Sequence, residues 1–165
     1  MQERGNMTKE LIQAYTARIS QASKTELVVI TYEIILSDIK EAEDTFRDGD
    51  HPQYARILKH AVLLVNELMR SLDYRFEISY NLLNLYVYVS KCLINAGYQK
   101  NTELLASAES VLQKLKAGFE GILQEDPSGP VMQNTQQLYA GLTYGKGVLN
   151  EVFIDPKEHS RGFRA

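Results

Sequence analysis

Apolar positions along this chain recur at spacings of three and four residues, which is the spacing of one face of an α-helix. Four such segments, residues 23–47, 52–72, 75–96 and 102–124, are separated by short polar connections. Long amphipathic helices with short connections pack as antiparallel neighbours. The pattern therefore predicts an all-α fold, with an antiparallel up-down-up-down four-helix bundle over residues 23–124.

The ends of the predicted helices carry typical capping residues. Ser23 and Glu26 have the spacing of a capping box at the start of the first helix. Gly49 suits the end of that helix, Pro52 suits the start of the second, and Gly97 suits the end of the third. The inward row predicted for the second helix is Tyr54, Leu58, Ala61, Val65, Leu68 and Leu72. The inward row predicted for the fourth is Leu104, Ala108, Val111, Leu115 and Ile122.

Two segments flank the predicted bundle. Residues 1–22 form an N-terminal arm, in which Leu11, Ile12, Tyr15 and Ile19 make one weak helical stripe. Residues 125–165 form a C-terminal extension that begins with the loop sequence EDPSGP and has three glycines within residues 141–147. We expect the extension to lie on the bundle in mixed helical and extended form, with its end disordered.

The stretch YNLLNLYVYVSKCL, residues 80–93, alternates like a β-strand but fits a helix better. On a helical wheel its polar members gather opposite an apolar row of Ile78, Leu82, Leu85, Val89 and Cys92. A second apolar stripe is formed by Tyr80, Leu83, Val87 and Ile94. The whole apolar arc covers roughly two thirds of the wheel, more than a bundle helix needs. The second stripe is covered either by another helix of the bundle or by a helix of a partner.

Composition narrows the classes of function. The net charge is −3 with Lys and Arg spread along the chain, which argues against a nucleic-acid partner. One cysteine and three dispersed histidines offer no metal-ligand spacing, and no cofactor motif is present. No apolar run is long enough to span a bilayer, and the start of the chain lacks a secretory signal. We expect a cytoplasmic protein without membrane insertion.

Catalytic motifs find little support in the sequence. His60 lies in a predicted bundle helix, as in histidine phosphotransfer domains, and phosphotransfer is the alternative function. The sequence HAVLL that begins at His60 lacks the Lys and the small residue that such domains place one turn later. AGLTYGKG has Gly147 after its lysine, where a phosphate-binding loop has the Ser or Thr that holds magnesium. No nucleophile and base have a spacing that argues for catalysis, so we predict that the protein is not an enzyme.

Three blocks of sequence, in order, resemble the FliS family of flagellin export chaperones. They are ISQASKTELVVITYEIILSDIKEAE, LVNELMRSLD and LYVYVSKCLINAG, and the likeness runs from about Tyr15 to Phe119. Lys24 stands where the family usually has Pro, and Val87 stands where it is commonly acidic. The motif residues expected in the core are Leu27, Tyr32, Leu68, Leu72, Leu82, Leu85, Tyr86, Val89 and Leu93.

The resemblance implies a chaperone that binds the disordered C-terminal region of flagellin, prevents its premature polymerisation and assists its export. The implied partners are flagellin and the flagellar export apparatus. The residues expected to contact flagellin are Tyr15, Ile19, Tyr80, Leu83, Val87 and Ile94. A general helical adaptor for another partner remains an alternative, and both a monomer and a homodimer are open. The extension, with its sequence VMQNTQQLYAGL, is hypothesised to imitate flagellin on the bundle.

Overall fold

The protein is all-α over the range that its computed structural model describes, residues 2–132, with side chains described from Lys9 onward. No residue of this range forms a strand, which confirms the all-α part of the predicted fold. The helices are α1 (Gln2–Gln21), α2 (Lys24–Arg47), α3 (His51–Arg70), α4 (Ile78–Gln99) and α5 (Glu103–Gly121), followed by a 3₁₀ turn at Leu123–Glu125. The predicted form of the C-terminal extension concerns mainly residues 133–165, which lie outside the described residues.

Helices α2 to α5 form a helical bundle in which contacts follow a closed ring. Helix α2 packs against α3 and α5, and α4 packs against the same two helices. The largest side chains withdrawn from solvent at the centre include Tyr32, Tyr54, Tyr86, Ile35 and Leu93. Helix α1 lies outside this ring and contacts mainly α2. All five predicted inward residues of α3 from Tyr54 to Leu68 are buried, while Leu72 is half-buried against the core.

Side-chain caps define the starts of α2 and α3. The Ser23 hydroxyl accepts a hydrogen bond from the Glu26 N–H at 3.2 Å, which confirms Ser23 as the N-cap of α2. Asp50 accepts from the Gln53 N–H at 3.1 Å and caps α3, with Pro in its first turn. Gly49, between the two helices, has a φ of +80°, a conformation that glycine adopts without strain.

Helix α4 differs from its prediction at both ends. It begins at Ile78 rather than near Arg75, because Asp73 and Arg75 form a turn in which the Asp73 carboxylate accepts from the Arg75 N–H. The Arg75 guanidinium also bonds to this carboxylate and lowers the Asp73 pKa to about 2. It ends at Gln99, and the left-handed C-cap is Lys100, with a φ of +51°. The prediction of Gly97 as the cap was wrong. A Cβ atom at Gly97 would lie 3.4 Å from Leu58 Cδ1, so this glycine lies where α3 and α4 approach closely.

Alanine substitutions should separate these two roles of glycine. Gly97→Ala should raise the free energy of unfolding by about 0.5–1 kcal/mol, since it improves helix propensity and meets Leu58 only at ordinary contact distance. Gly49→Ala should lower it by about 1 kcal/mol, because its φ is unfavourable for a side chain. Urea unfolding measures both, with Gly118→Ala as the helical control in open space. A loss of stability in Gly97→Ala would contradict the fit of an alanine Cβ beside Leu58.

Helix α5 is rotated relative to its predicted inward row. Its buried residues are Leu105, Ala108 and Leu112. Leu104, Val111 and Leu115 from the predicted row pack against the core only in part. Ile122 lies past the helix end and is 47% exposed, so its prediction as an inward residue was wrong.

Candidate interaction surface

The core-facing side of α4 passes through Leu82, Tyr86, Val89 and Leu93, all of which are buried. The Tyr86 hydroxyl lies 2.5 Å from the Tyr32 hydroxyl in the core. With Tyr86 turned inward, Leu85 moves towards the surface, where it is 38% exposed. The prediction of Leu85 as a core residue was therefore wrong, and Ile78 from the same predicted row is also exposed.

The second apolar stripe of α4 lies at the surface of the described structure. Tyr80, Val87 and Ile94 are exposed, and Leu83 is half-buried. One turn further on, Tyr98 is 89% exposed. A row of large apolar side chains along one helix face marks an interaction surface more often than isolated ones do. No helix among those described covers this row.

A groove between α3 and α4 adjoins the C-terminal end of the stripe. It encloses about 330 Å³ and is lined almost wholly by apolar atoms. We call it the α3–α4 groove, and its lining residues are Ala55, Leu58, Lys59, Val62, Leu93, Ile94, Gly97 and Tyr98. Gly97 has no side chain to fill the groove and Ala55 has a short one, whereas Ile94 and Tyr98 stand at its edge. This shape suits the apolar side chains of a helical segment.

Tyr15 and Ile19, the two N-terminal residues predicted to bind a partner, lie on a different side of the molecule. Both are half-buried in α1, which is held to α2 by an ion pair between Arg18 and Glu33 at 2.5 Å. Glu33 also lies 3.9 Å from Lys116 of α5. Burial and the neighbouring Glu33 raise the pKa of the Tyr15 phenol. The structure thus brings Tyr80, Leu83, Val87 and Ile94 together on α4, and it does not bring Tyr15 or Ile19 to them.

His60, the residue of the phosphotransfer alternative, links two helices. Its Nδ1 atom lies 2.6 Å from Asp38 Oδ2, which joins α3 to α2. Burial raises the pKa of Asp38, and the hydrogen bond with His60 opposes that shift. In the described part of the chain, no three His, Cys, Asp or Glu side chains group as metal ligands. Over the same residues, no helix is both long enough and apolar enough to cross a membrane.

Sequence inspection missed the α3 wall of the groove and the contribution of Tyr98. Ala55 and Val62 lie beside the inward row of α3. The local sequence pattern does not distinguish a side chain that lines a groove from one that is half-buried at the edge of the core. The signal that pointed to the site was the excess of apolar residues on α4. Gly97 followed by Tyr98 is a signal that the sequence analysis did not use, since a glycine at a helix contact also leaves a depression beside the next large side chain.

Comparison with known protein families identifies one family for this chain. A family model described as "Flagellar protein FliS" matches residues 7–126, which is well over half of the chain. A search of curated proteins found no match. The family match covers all three sequence blocks that resembled FliS and the helices that form the α3–α4 groove. The chain therefore belongs to the FliS family of flagellar export chaperones.

Proposed function

We propose that this protein is a cytoplasmic chaperone that binds the disordered C-terminal region of flagellin along α4 and in the α3–α4 groove. Binding there covers flagellin surface that would otherwise polymerise, and the complex delivers the subunit to the flagellar export apparatus. The observation that carries this proposal is the exposed apolar row of Tyr80, Val87, Ile94 and Tyr98 beside an apolar groove, in a member of the FliS family.

The proposal includes an antiparallel four-helix bundle as the binding platform, with residues 1–22 and 125–165 as flanking segments. Two contacts support this topology. The Tyr54 hydroxyl, near the start of α3, donates to the Ala96 carbonyl near the end of α4 at 3.0 Å. The ring of Tyr32, in the first half of α2, packs edge-on against Phe119 near the end of α5 at 5.7 Å between centroids. Each pair joins opposite ends of its two helices.

The spacing of the row suits an amphipathic helix. Tyr80, Val87 and Ile94 are seven residues apart, so they repeat along one face of α4 at every second turn. Tyrosine gives a large apolar contact while its hydroxyl stays in water, which favours a surface that is alternately covered and free. A client helix would insert apolar side chains at i, i+3, i+4 and i+7 between α3 and α4.

Coupled folding and binding allows the client to be released. A disordered segment that folds on binding loses about 2–5 kcal/mol or more of its interaction energy to ordering. It therefore covers a large surface at moderate affinity. We infer that the protein acts by binding alone, without catalysis and without a cofactor.

Calorimetric titration of the full chain with flagellin tests the proposal. We expect saturable binding with a Kd of about 1 μM or tighter and a negative heat-capacity change, the mark of buried apolar surface. Flagellin without its C-terminal region is the matched control and should bind at least tenfold more weakly. An equimolar amount of the protein should also suppress seeded polymerisation of flagellin. Absence of binding, or equal binding of the truncated control, would contradict the proposal, and the latter would favour a different helical adaptor role.

A further inference from the structure

The chain returns to the junction between α1 and α2 just after the 3₁₀ turn. Asp126 Oδ2 accepts a hydrogen bond from the Thr25 N–H, in the first turn of α2, at 3.2 Å. Five residues later, the Val131 N–H donates to the Ala22 carbonyl at 3.0 Å. Ala22 is fully buried and, with Ser23, forms the non-helical link between α1 and α2. One hydrogen bond therefore falls on the link itself, at Ala22, and the other falls just after it, at Thr25.

The segment between the two hydrogen bonds has its own internal order. Asp126 Oδ1 accepts from the Ser128 N–H at 2.8 Å and from the Ser128 hydroxyl at 2.5 Å. These bonds, followed by the one from Thr25, hold the Asp126 pKa well below its usual range. The carboxylate therefore stays ionised at the N-terminus of α2, where the helix dipole favours a negative charge. Prolines at 127 and 130 restrict the backbone on both sides of Ser128.

Val131 also lies at a groove on the surface of the bundle, where this residue is 47% exposed. It lines a groove of about 400 Å³ between α2 and α3, together with Leu27, Val28, Thr31 and Leu68. Leu27, which was predicted to lie in the core, is half-buried in the wall of this groove instead. Leu27 is only half-buried because the first turn of α2 faces the returning chain as well as the bundle interior.

We propose that residues 126–132 act as a strap that fastens the α1–α2 junction and so sets how readily α1 leaves α2. The two non-helical residues of the link bond to the adjoining helix ends through the Ala22 N–H and the Ser23 hydroxyl, and the ion pair of Arg18 with Glu33 is partly exposed to solvent. The strap bonds to the link at Ala22 and to the first turn of α2 at Thr25. Its amide anchor at Val131 lies beyond residue 126, where the match to the family ends.

The strap makes the position of α1 and that of residues 126–132 depend on each other. Any event that pulls Val131 out of the α2–α3 groove also removes a hydrogen bond from the link that positions α1. By linkage, displacement of α1 weakens the strap by the same factor. The device needs no change in the bundle core, because the hydrogen bonds of Asp126 and Val131 go to the first turn of α2 and to the link.

Hydrogen exchange on variants of the full chain tests the strap. Asp126→Ala removes the carboxylate anchor, and Val131→Pro removes the amide donor. Each should speed exchange of the amides in residues 9–22 by about fivefold, which is the effect of losing one helix-capping interaction. The double variant should be little faster than either single variant, since a strap with one anchor lost no longer closes the link.

Asp50→Ala is the matched control, because it removes a carboxylate that accepts from the first turn of α3. It should leave exchange in residues 9–22 unchanged within about twofold. Unchanged exchange of α1 in both strap variants, with a rise confined to the first turn of α2, would overturn the proposal. Equal acceleration of α1 in the Asp50 control would also overturn it. Flagellin binding is not part of this readout, so the strap and the proposed function fail independently.

Discussion

Replacing Tyr86 with alanine is expected to lower the free energy of unfolding by about 3–5 kcal/mol, the cost of a large cavity in a packed core. Tyr86 is 1% exposed, and its ring lies 6.3 Å from that of Tyr32 between centroids. Tyr32 in turn packs against Phe119, so the cavity would open at the point where α2, α4 and α5 meet. Urea unfolding followed by circular dichroism measures the loss.

The hydroxyl pair accounts for a separable part of this stability. Tyr86→Phe should cost about 1–3 kcal/mol, because it leaves the buried Tyr32 hydroxyl without the partner at 2.5 Å. The double variant Tyr32→Phe with Tyr86→Phe should cost less than the sum of the single variants, since it leaves no orphaned hydroxyl. Additive losses in this double-mutant cycle would contradict a direct hydrogen bond between the two phenols.

The pH dependence of the pair follows from its pKa shifts. Burial raises the pKa of both Tyr32 and Tyr86 above the ordinary value for tyrosine. Because the folded-state pKa is the higher one, the pair's stabilisation is fully present below about pH 10, the pKa of an unfolded tyrosine. It is lost as the pH rises further. The difference in stability between wild type and the double Phe variant should therefore be constant from neutral pH to about pH 9.

Ile94→Asp is expected to weaken flagellin binding by about 30- to 100-fold, the effect of a charge placed at the centre of an apolar contact. Ile94 is 53% exposed and borders the α3–α4 groove, so the fold should keep its helical signal. The matched control is Ile122→Asp, since Ile122 has a similar exposure of 47% but lies past the end of α5. Titration calorimetry compares the two variants. Equal affinities would contradict the assignment of the α3–α4 groove.

Most of the bundle could be predicted because the sequence of α3 has one narrow apolar face. Five of its six predicted inward residues are fully buried, and the sixth, Leu72, lies past the end of α3. The Ser23 cap was equally local, since its acceptor and donor lie three residues apart. The end of α4 could not be predicted, because glycine suits both a left-handed cap and a close approach of two helices. Only the position of Leu58 separates the two roles of Gly97.

The candidate site was predictable only in part. An apolar arc over two thirds of α4 leaves the rotation of the helix open, and burial of the Tyr32 and Tyr86 hydroxyl pair decides it. That pair joins residues 54 positions apart, which no local pattern reveals. The same limit applies to the strap, because its Asp126 accepts from Thr25, which lies 101 positions earlier in the chain. The stripe on α4 was found because its excess of apolar residues is a property of one helix.

Methyl NMR of the full chain with the C-terminal region of flagellin bound locates the binding surface on the bundle. The methyl signals of Leu83, Val87 and Ile94 should shift or broaden on binding, together with that of Val62 across the α3–α4 groove. The signal of Ile122 should stay in place. Shifts confined to α1 and the neighbouring face of α2 and α5, with Val87 and Ile94 unchanged, would contradict binding along α4.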